Sequence, residues 1–316
     1  GVYSYIPEKG LEFLIGIARF WHQRATFSKD KNQFVILGVT GPNEYENNVN
    51  NNWYTNYIAK WCINYAYAQI EKVKSEYASD HTRIMSKVNL NDAELQSWKN
   101  TAHNMYFPYS EEHGVFLQQD GFLDKELVKV SDLDPSQRPI NQKWSWDRIL
   151  RSPYIKQADT LQGFYFFEDD FTKEQLEKHF DFYEPFTVHE SSLSPCVHSI
   201  QAAALGRMEQ AYTFYLRTSR LDLDDYNKEV HEGLHITSMA GTWMSIVEGF
   251  GGMRVKNNQL HFEPRIPEQW KGYSFKVNFR NAIVKVEVNH QETKVSVEGN
   301  QEVEVIINGT SQLVKN

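Results

Sequence analysis

The chain has 316 residues, 41% hydrophobic and 14% aromatic, which is enough apolar material for a large core and more than one domain. A formal net charge of −8, with no Lys/Arg run or basic helix, excludes a nucleic-acid footprint. No stretch approaches the roughly 20 apolar residues of a membrane span, so no membrane partner is expected.

Gly1 is followed by Val-Tyr-Ser-Tyr and not by the charged region and apolar core of a leader, and because the first residue is not Met the chain is expected to begin inside a longer protein. Leu11, Phe13-Leu14, Ile17-Ala18 and Phe20-Trp21 follow a helical period that ends at Gln23-Arg24. The apolar run Phe34-Val35-Ile36-Leu37 then leads into Gly38, and Gly41-Pro42 breaks regular structure. Behind the break come Glu44, Tyr45, Glu46 and six asparagines between positions 47 and 56. Trp53, Tyr57, Trp61 and Tyr65 recur every four residues, which predicts a helix to about Tyr77 with one aromatic stripe. Core packing is the plainer reading of that stripe and a ligand face the sharper one.

Asn91 and Glu94 resemble a capping box that opens a helix to about Met105. Residues 106–151 show no sustained period, only the turn signal Gln119-Asp120-Gly121, and long irregular segments are often functional. Ser152-Pro153 predicts a helix carrying Ile155, Ala158, Leu161 and Tyr165, with Lys156-Gln157 in its first turn. Thr172 with Gln175 opens another helix, ending near Tyr183. Ser194 before Pro195 reads as an N-cap, with Gly206 as the C-cap of 195–205. A further helix runs to about Thr218, and after a loop at 220–237 a last one spans 238–249, closed by Gly249-Phe-Gly-Gly252. From Met253 the period becomes 2, with turn residues Asn257-Asn258, Gly299-Asn300 and Asn308-Gly309 between alternating runs. The fold class is therefore mainly α with a small β domain: seven or eight helices in residues 1–252, then an antiparallel β domain at 253–316.

A carboxylate on a turn among amides and aromatics suits a sugar, whose hydroxyls need both donors and acceptors. Glu44 is the candidate acid, and Pro42 and Tyr45 are expected to shield it; Glu46 is expected to open the following helix. Glycoside cleavage also needs a nucleophile or base on the opposite face, and no second carboxylate stands out. Instead there are two hydroxyl-rich turns, His189-Glu190-Ser191-Ser192-Leu193-Ser194-Pro195 and His235-Ile236-Thr237-Ser238-Met239-Ala240-Gly241. Hydroxyls and backbone N–H groups at a helix start make an anion site, and a bound oxyanion could be the nucleophile. Alternatively Ser191, Ser194 and Thr237 are ordinary caps. Lys156 and Gln157 fit sugar hydroxyls or a solvated surface. Asp147 and Asp159 read as carboxylates without a special setting, and Asp169-Asp170 and Asp222-Asp224-Asp225 as solvated loops. Cys62 and Cys196 sit in apolar contexts and are expected to be buried free thiols in a reducing, cytoplasmic setting. No metal-ligand spacing is evident, and no cofactor is expected.

Gly41-Pro42-Asn43-Glu44-Tyr45, Val49-Asn50-Asn51-Asn52 and Tyr54-Thr55-Asn56 together resemble the catalytic-acid segment of the inverting α-glucosyl disaccharide phosphorylases. The likeness continues through Ala18-Arg19-Phe20-Trp21, Lys156-Gln157-Ala158-Asp159 and both hydroxyl-rich turns, in the family's order. It implies the second half of an (α/α)6 barrel followed by an antiparallel β-sandwich domain. It further implies Glu44 as general acid, Lys156 and Gln157 as substrate-binding residues, and Ser191, Ser192, His235, Thr237 and Ser238 as a phosphate site. The partners would be a disaccharide and inorganic phosphate, the latter a co-substrate, and a homodimer is common in the family. The wording of the acid segment points to maltose; trehalose, trehalose 6-phosphate, kojibiose and nigerose are the alternatives, and a non-catalytic glycan-binding role is the reading from another class. The family's N-terminal β-sandwich and first half-barrel, with its Trp-Asp sugar-binding pair, have no counterpart here. The chain is therefore expected to be a C-terminal portion that is inactive by itself.

Overall fold

Two helices announced by apolar periodicity, α1 (Leu11–Arg24) and α2 (Trp53–Glu76), pack side by side. In the computed structural model, residues 3–315 are described; Gly1 and Val2, which begin the first expected domain, and Asn316, which ends the second, lie outside them. Trp53, Asn56, Ala59, Ile63, Ala66, Ile70 and Val73 are the buried residues of α2, and their three- and four-residue steps put them on one face. That face meets Leu11, Ile15 and Ala18 of α1. The predicted stripe is buried only at its start: Trp53 is enclosed, whereas Trp61 and Tyr65 stack on each other at 4.9 Å on the surface. A short hairpin, β1 (Thr26–Ser28) with β2 (Gln33–Val35), links the two helices.

Beyond Tyr77 follow α3 (Ala78–Val88) and α4 (Asp92–His103), the latter adding Trp98 and Ala102 to the same core. Only half of the expected capping box forms there. Asn91 accepts from the Glu94 N–H, but the Glu94 carboxylate is taken by Arg19 of α1. The aperiodic segment contains the hairpin β3 (Tyr109–Ser110) and β4 (Val115–Phe116), then short helical turns including α5 (Ile140–Lys143) and α6 (Trp146–Leu150). Ile140 and Ile149 from this segment pack against Tyr45, Tyr154 and Val188, so it forms one wall around the acid-bearing turn.

The helix expected from Ser152-Pro153 is absent. Residues 152–159 are non-helical, with bends and a single bridge residue at Ile155, and α7 starts only at Thr160, running to Phe166. Ser152 instead donates to the Ile149 carbonyl and closes α6, while Ile155 forms an isolated parallel bridge with Thr187 through Ile155 N–H to Phe186 and Val188 N–H to Ile155, both 2.9 Å. Long-range pairing has outweighed a local capping signal. The other predicted start holds: α8 (Lys173–Tyr183) opens with a complete capping box between Thr172 and Gln175.

α9 (Ser194–Leu205) ends at left-handed Gly206, as expected, but Leu193 and not Ser194 occupies its N-cap, because the Ser194 hydroxyl is bonded to His189. α10 (Met208–Ser219) packs along α9, and α11 (Ile236–Met244) continues as one π-helical stretch to Phe250. The α-helical segments thus reach α11 among the described residues, more than seven or eight, since one-turn helices leave no periodic trace.

The C-terminal strands are β5 (Arg254–Lys256), β6 (Gln259–Phe262), β7 (Gly272–Phe279), β8 (Ala282–Asn289), β9 (Thr293–Glu298), β10 (Val303–Ile307) and β11 (Thr310–Val314). They form one sheet of order β11-β10-β6-β5 and another of order β7-β8-β9. Left-handed pairs at Asn257-Asn258, Arg280-Asn281 and Asn308-Gly309 make the tight hairpins. One pairing departs from the expected antiparallel pattern: β10 runs parallel to β6. The domain is fastened to the helices where Tyr273 donates to the Phe250 carbonyl at 2.8 Å and Trp270 packs edge-on to Phe250.

Candidate active site

The turn that carries Glu44 is closed at its base. Val39 and Val49 exchange two backbone hydrogen bonds of 2.9 Å, so residues 40–48 form a loop with fixed ends. Gly41 is required by space: a Cβ there would lie 2.4 Å from the Asn52 amide nitrogen and 2.5 Å from an Asp159 oxygen. The asparagines largely build this loop and do not ring the acid. Asn50 accepts from Gly38 N–H at 3.1 Å, Asn51 from Ile36 N–H at 3.2 Å, and Asn52 caps α2 at the Thr55 N–H. Asn48 and Asn51 also take the left-handed conformation that asparagine tolerates. The expectation that these amides grip a sugar is therefore corrected for Asn50, Asn51 and Asn52, whose carbonyl oxygens serve the backbone.

Glu44, Tyr45 and Glu46 point in different directions. Glu44 is the exposed one, its carboxylate ion-paired with the Lys156 ammonium. Tyr45 is buried and donates to Glu190 at 2.8 Å, so it does not shield Glu44 as expected. Glu46 is also buried, paired with Lys125, and lies well before α2; it is not the opening residue of that helix. Burial lowers the Lys125 ammonium to about 8.

Lys156 and Gln157 reach the turn from the bent segment that precedes α7, not from a helix. The Lys156 N–H donates to the Asn43 side chain at 2.9 Å, and the Gln157 amide donates to the Pro42 carbonyl at 2.8 Å. The Gln157 carbonyl in turn accepts from the Ser191 hydroxyl, which joins the acid turn to the first hydroxyl-rich turn. Ser192 meets Thr237 hydroxyl to hydroxyl at 2.6 Å, which joins the first hydroxyl-rich turn to the second. His235 is oriented by Asp222, whose carboxylate takes the ring Nδ1 at 2.5 Å and the His235 N–H at 2.9 Å. That backbone bond comes first among the causes holding Asp222 below the usual carboxylate range. Ser238 differs: it is buried and its hydroxyl is spent on the Thr218 carbonyl at 2.5 Å. The structure thus brings Glu44, Lys156, Gln157, Ser191, Ser192 and Thr237 together through three side-chain contacts, Glu44–Lys156, Gln157–Ser191 and Ser192–Thr237, between residues that are neighbours in sequence, with His235 at the N-cap of α11 and Ser238 turned inward.

Glu190, the nearby carboxylate, is not free to act as a base. It is buried and accepts from Tyr45, from Ile140 N–H at 2.9 Å and from Arg138 at 3.3 Å. His189, left-handed at φ 54, is held well below its ordinary range by burial, with His198 and Arg217 adding to the effect. Two residues read as ordinary belong to the site's frame. Asp222 is not a solvated loop residue, and Asp159 is fully enclosed, its carboxyl pushed up to about 7 by burial against the opposing Asn43 N–H and Asn52 amide. Asp222 carries no residue pattern that marks it, and Asp159 stands only as the last residue of the Lys156-Gln157-Ala158-Asp159 motif, because burial and partner choice are decided by distant segments. Of the cysteines, Cys196 is buried as expected and Cys62 is only half-buried; both are free.

The chain and its fold match a known family. Residues 1–244 match the glycosyl hydrolase family 65 central catalytic domain, and residues 253–314 match the glycosyl hydrolase family 65 C-terminal domain. The chain belongs to glycosyl hydrolase family 65. Among its relatives, maltose phosphorylase of Bacillus subtilis is 51% identical over 288 residues, covering 91% of this chain and 37% of that protein. The α,α-trehalose phosphorylase of Thermoanaerobacter brockii is 41% identical, covering 96% of this chain and 39% of the relative. A solved structure of a human-microbiome protein, provisionally described as a kojibiose phosphorylase, superimposes with a TM-score of 0.90 at 34% identity, covering 99% of this chain and 43% of that one. The chain therefore spans about two fifths of the length of the relatives it matches.

Proposed function

We propose that this chain supplies the acid and the phosphate site of an inverting disaccharide phosphorylase, with maltose as the substrate. The single observation that carries the reading is the set of three contacts that brings Glu44 to Lys156, Gln157 to Ser191 and Ser192 to Thr237. One carboxyl group stands exposed at one end and a cluster of hydroxyls at the other, while the nearby carboxylate Glu190 is bound up. Such a site lacks a base for water but can hold an oxyanion.

In the proposed reaction Glu44 gives its proton to the glycosidic oxygen as the bond from that oxygen to the anomeric carbon breaks, and glucose leaves. A phosphate oxygen forms the new bond from the opposite face, which yields β-glucose 1-phosphate with inversion. Phosphate gives up a proton as it is esterified, and that proton restores Glu44. Lys156 and Gln157 hold sugar hydroxyls, and Ser191, Ser192, His235 and Thr237 form the phosphate pocket, while Ser238 only braces the start of α11 behind it through the Thr218 carbonyl. Maltose is favoured by the 51% identity to a maltose phosphorylase.

The test is a substrate screen on the full-length protein with and without inorganic phosphate. The proposal expects maltose to be consumed only when phosphate is present. Consumption of trehalose or kojibiose instead would move the substrate and keep the chemistry, whereas consumption without phosphate would overturn it.

A further inference from the structure

We infer that Asp159 is a positioning residue for the acid, a carboxylate that touches no substrate but aims Glu44 by holding its turn; the inference rests on Glu44 being that acid. Asp159 precedes α7, and its backbone carbonyl receives the Gln162 and Gly163 N–H groups at 3.0 and 3.3 Å. Its two carboxyl oxygens go to two other segments. Oδ2 accepts from the Asn43 N–H at 2.9 Å, one residue before Glu44, and Oδ1 accepts from the Asn52 amide at 2.9 Å, at the start of α2. The absence of a side chain at Gly41 is what lets the carboxyl come this close.

The hold then spreads through Asn43. Its side-chain oxygen receives both the Tyr45 N–H at 3.2 Å and the Lys156 N–H at 2.9 Å. One buried carboxylate thus sets the backbone on both sides of Glu44 and, one step on, the residue that faces it. The frame behind it is stiff, because Gly163 of α7 lies so near Trp53 of α2 that a Cβ would stand 2.4 Å from the indole. Both groups that face the carboxylate oxygens are donors. Tyr54 and Tyr183 are the titratable groups that feel its charge, and both are raised chiefly by their own burial. A hydrogen-bonding side chain that offers only one acceptor at this place leaves a donor facing a donor.

The experiment compares Asp159→Asn with the parent in the full-length protein at pH 8, above the value of about 7 to which burial raises the Asp159 carboxyl, so that both of its oxygens accept; the substrates are maltose and α-glucosyl fluoride, each with phosphate. Fluoride departs with far less help from an acid, so it reports the fold and the phosphate site without the aim of Glu44. Misplacement of a catalytic group costs on the order of 100-fold, so the maltose kcat is expected to fall at least about 30-fold while the fluoride rate stays within about 3-fold. A maltose rate within about 3-fold of the parent overturns the inference, and so does an equal fall on both substrates, the mark of general damage. Should Asp159→Asn not fold, Asn43→Ser cuts the onward link and is expected to change the same ratio. If the parent turns over no disaccharide, the proposed function fails, and amide exchange decides the positioning role alone. Exchange over residues 43–46 is expected to quicken at least about 10-fold in Asp159→Asn, and unchanged exchange overturns the role.

Discussion

Replacing Asp159 with asparagine should also change how stability depends on pH, and the size of the change follows from the site. The carboxyl moves from 3.8 in the unfolded chain to about 7 when folded, because burial outweighs the Asn43 and Asn52 hydrogen bonds. Between those values the folded state keeps a proton that the unfolded chain has released. Stability from this group is therefore full below 3.8 and is lost as pH rises through 7. Integrating the linkage from pH 5 to pH 8 gives a loss of about 2–3 kcal/mol. The amide introduced by Asp159→Asn cannot titrate, so the variant should lack this loss whatever its absolute stability. Other titrating groups, among them His198 held near 4 by burial, are common to both proteins and cancel in the difference. Urea unfolding of both proteins at pH 5, 6, 7 and 8 measures it: the stability gap should shift in favour of the variant by about 2–3 kcal/mol across the range. Parallel curves would refute the reasoning and show that the Asp159 carboxyl is ionised throughout.

Further outcomes follow from particular contacts. Gly163→Ala drives a methyl group into Trp53, whose Cζ3 would be 2.4 Å away, and should lower stability by about 1–3 kcal/mol in chemical denaturation. Lys125→Met leaves the Glu46 carboxylate buried without its cation and should cost about 3–5 kcal/mol in chemical denaturation at neutral pH. Ser192→Ala removes half of the hydroxyl pair with Thr237; the KM for phosphate should rise on the order of 10-fold with the KM for maltose little changed, and the reverse pattern would assign Ser192 to the sugar.

Where the chain could be read correctly, the signal was local. The helices at 11–24 and 53–76 are long enough for their apolar period to stand out, and the Thr172–Gln175 box is complete within four residues. The period-2 strands and their Asn-rich turns were equally plain, but the parallel contact of β10 with β6 sets Val305 beside Leu260, from a distant part of the chain, and leaves no local mark. Ser152-Pro153 failed for the same reason, since its segment pairs with residues 186–188. At the candidate site, residue type and order singled out Glu44, Lys156, Gln157 and the two hydroxyl-rich turns as candidates, and the structure sets them near one another. They did not reveal that Tyr45 turns inward, that Glu190 is fully engaged, or that Asp159 and Asp222 have structural partners. Each of those facts depends on which distant group fills the next position in space.

The central claim is that phosphate, and not water, attacks opposite Glu44. It is tested most directly by following maltose with the full-length protein in phosphate by NMR, alongside Glu44→Gln. The account predicts β-glucose 1-phosphate as the first sugar phosphate formed, with turnover falling at least about 1,000-fold in the variant and maltose still bound. Release of two glucose molecules without phosphate, the α anomer as first product, or a variant as fast as the parent would contradict it.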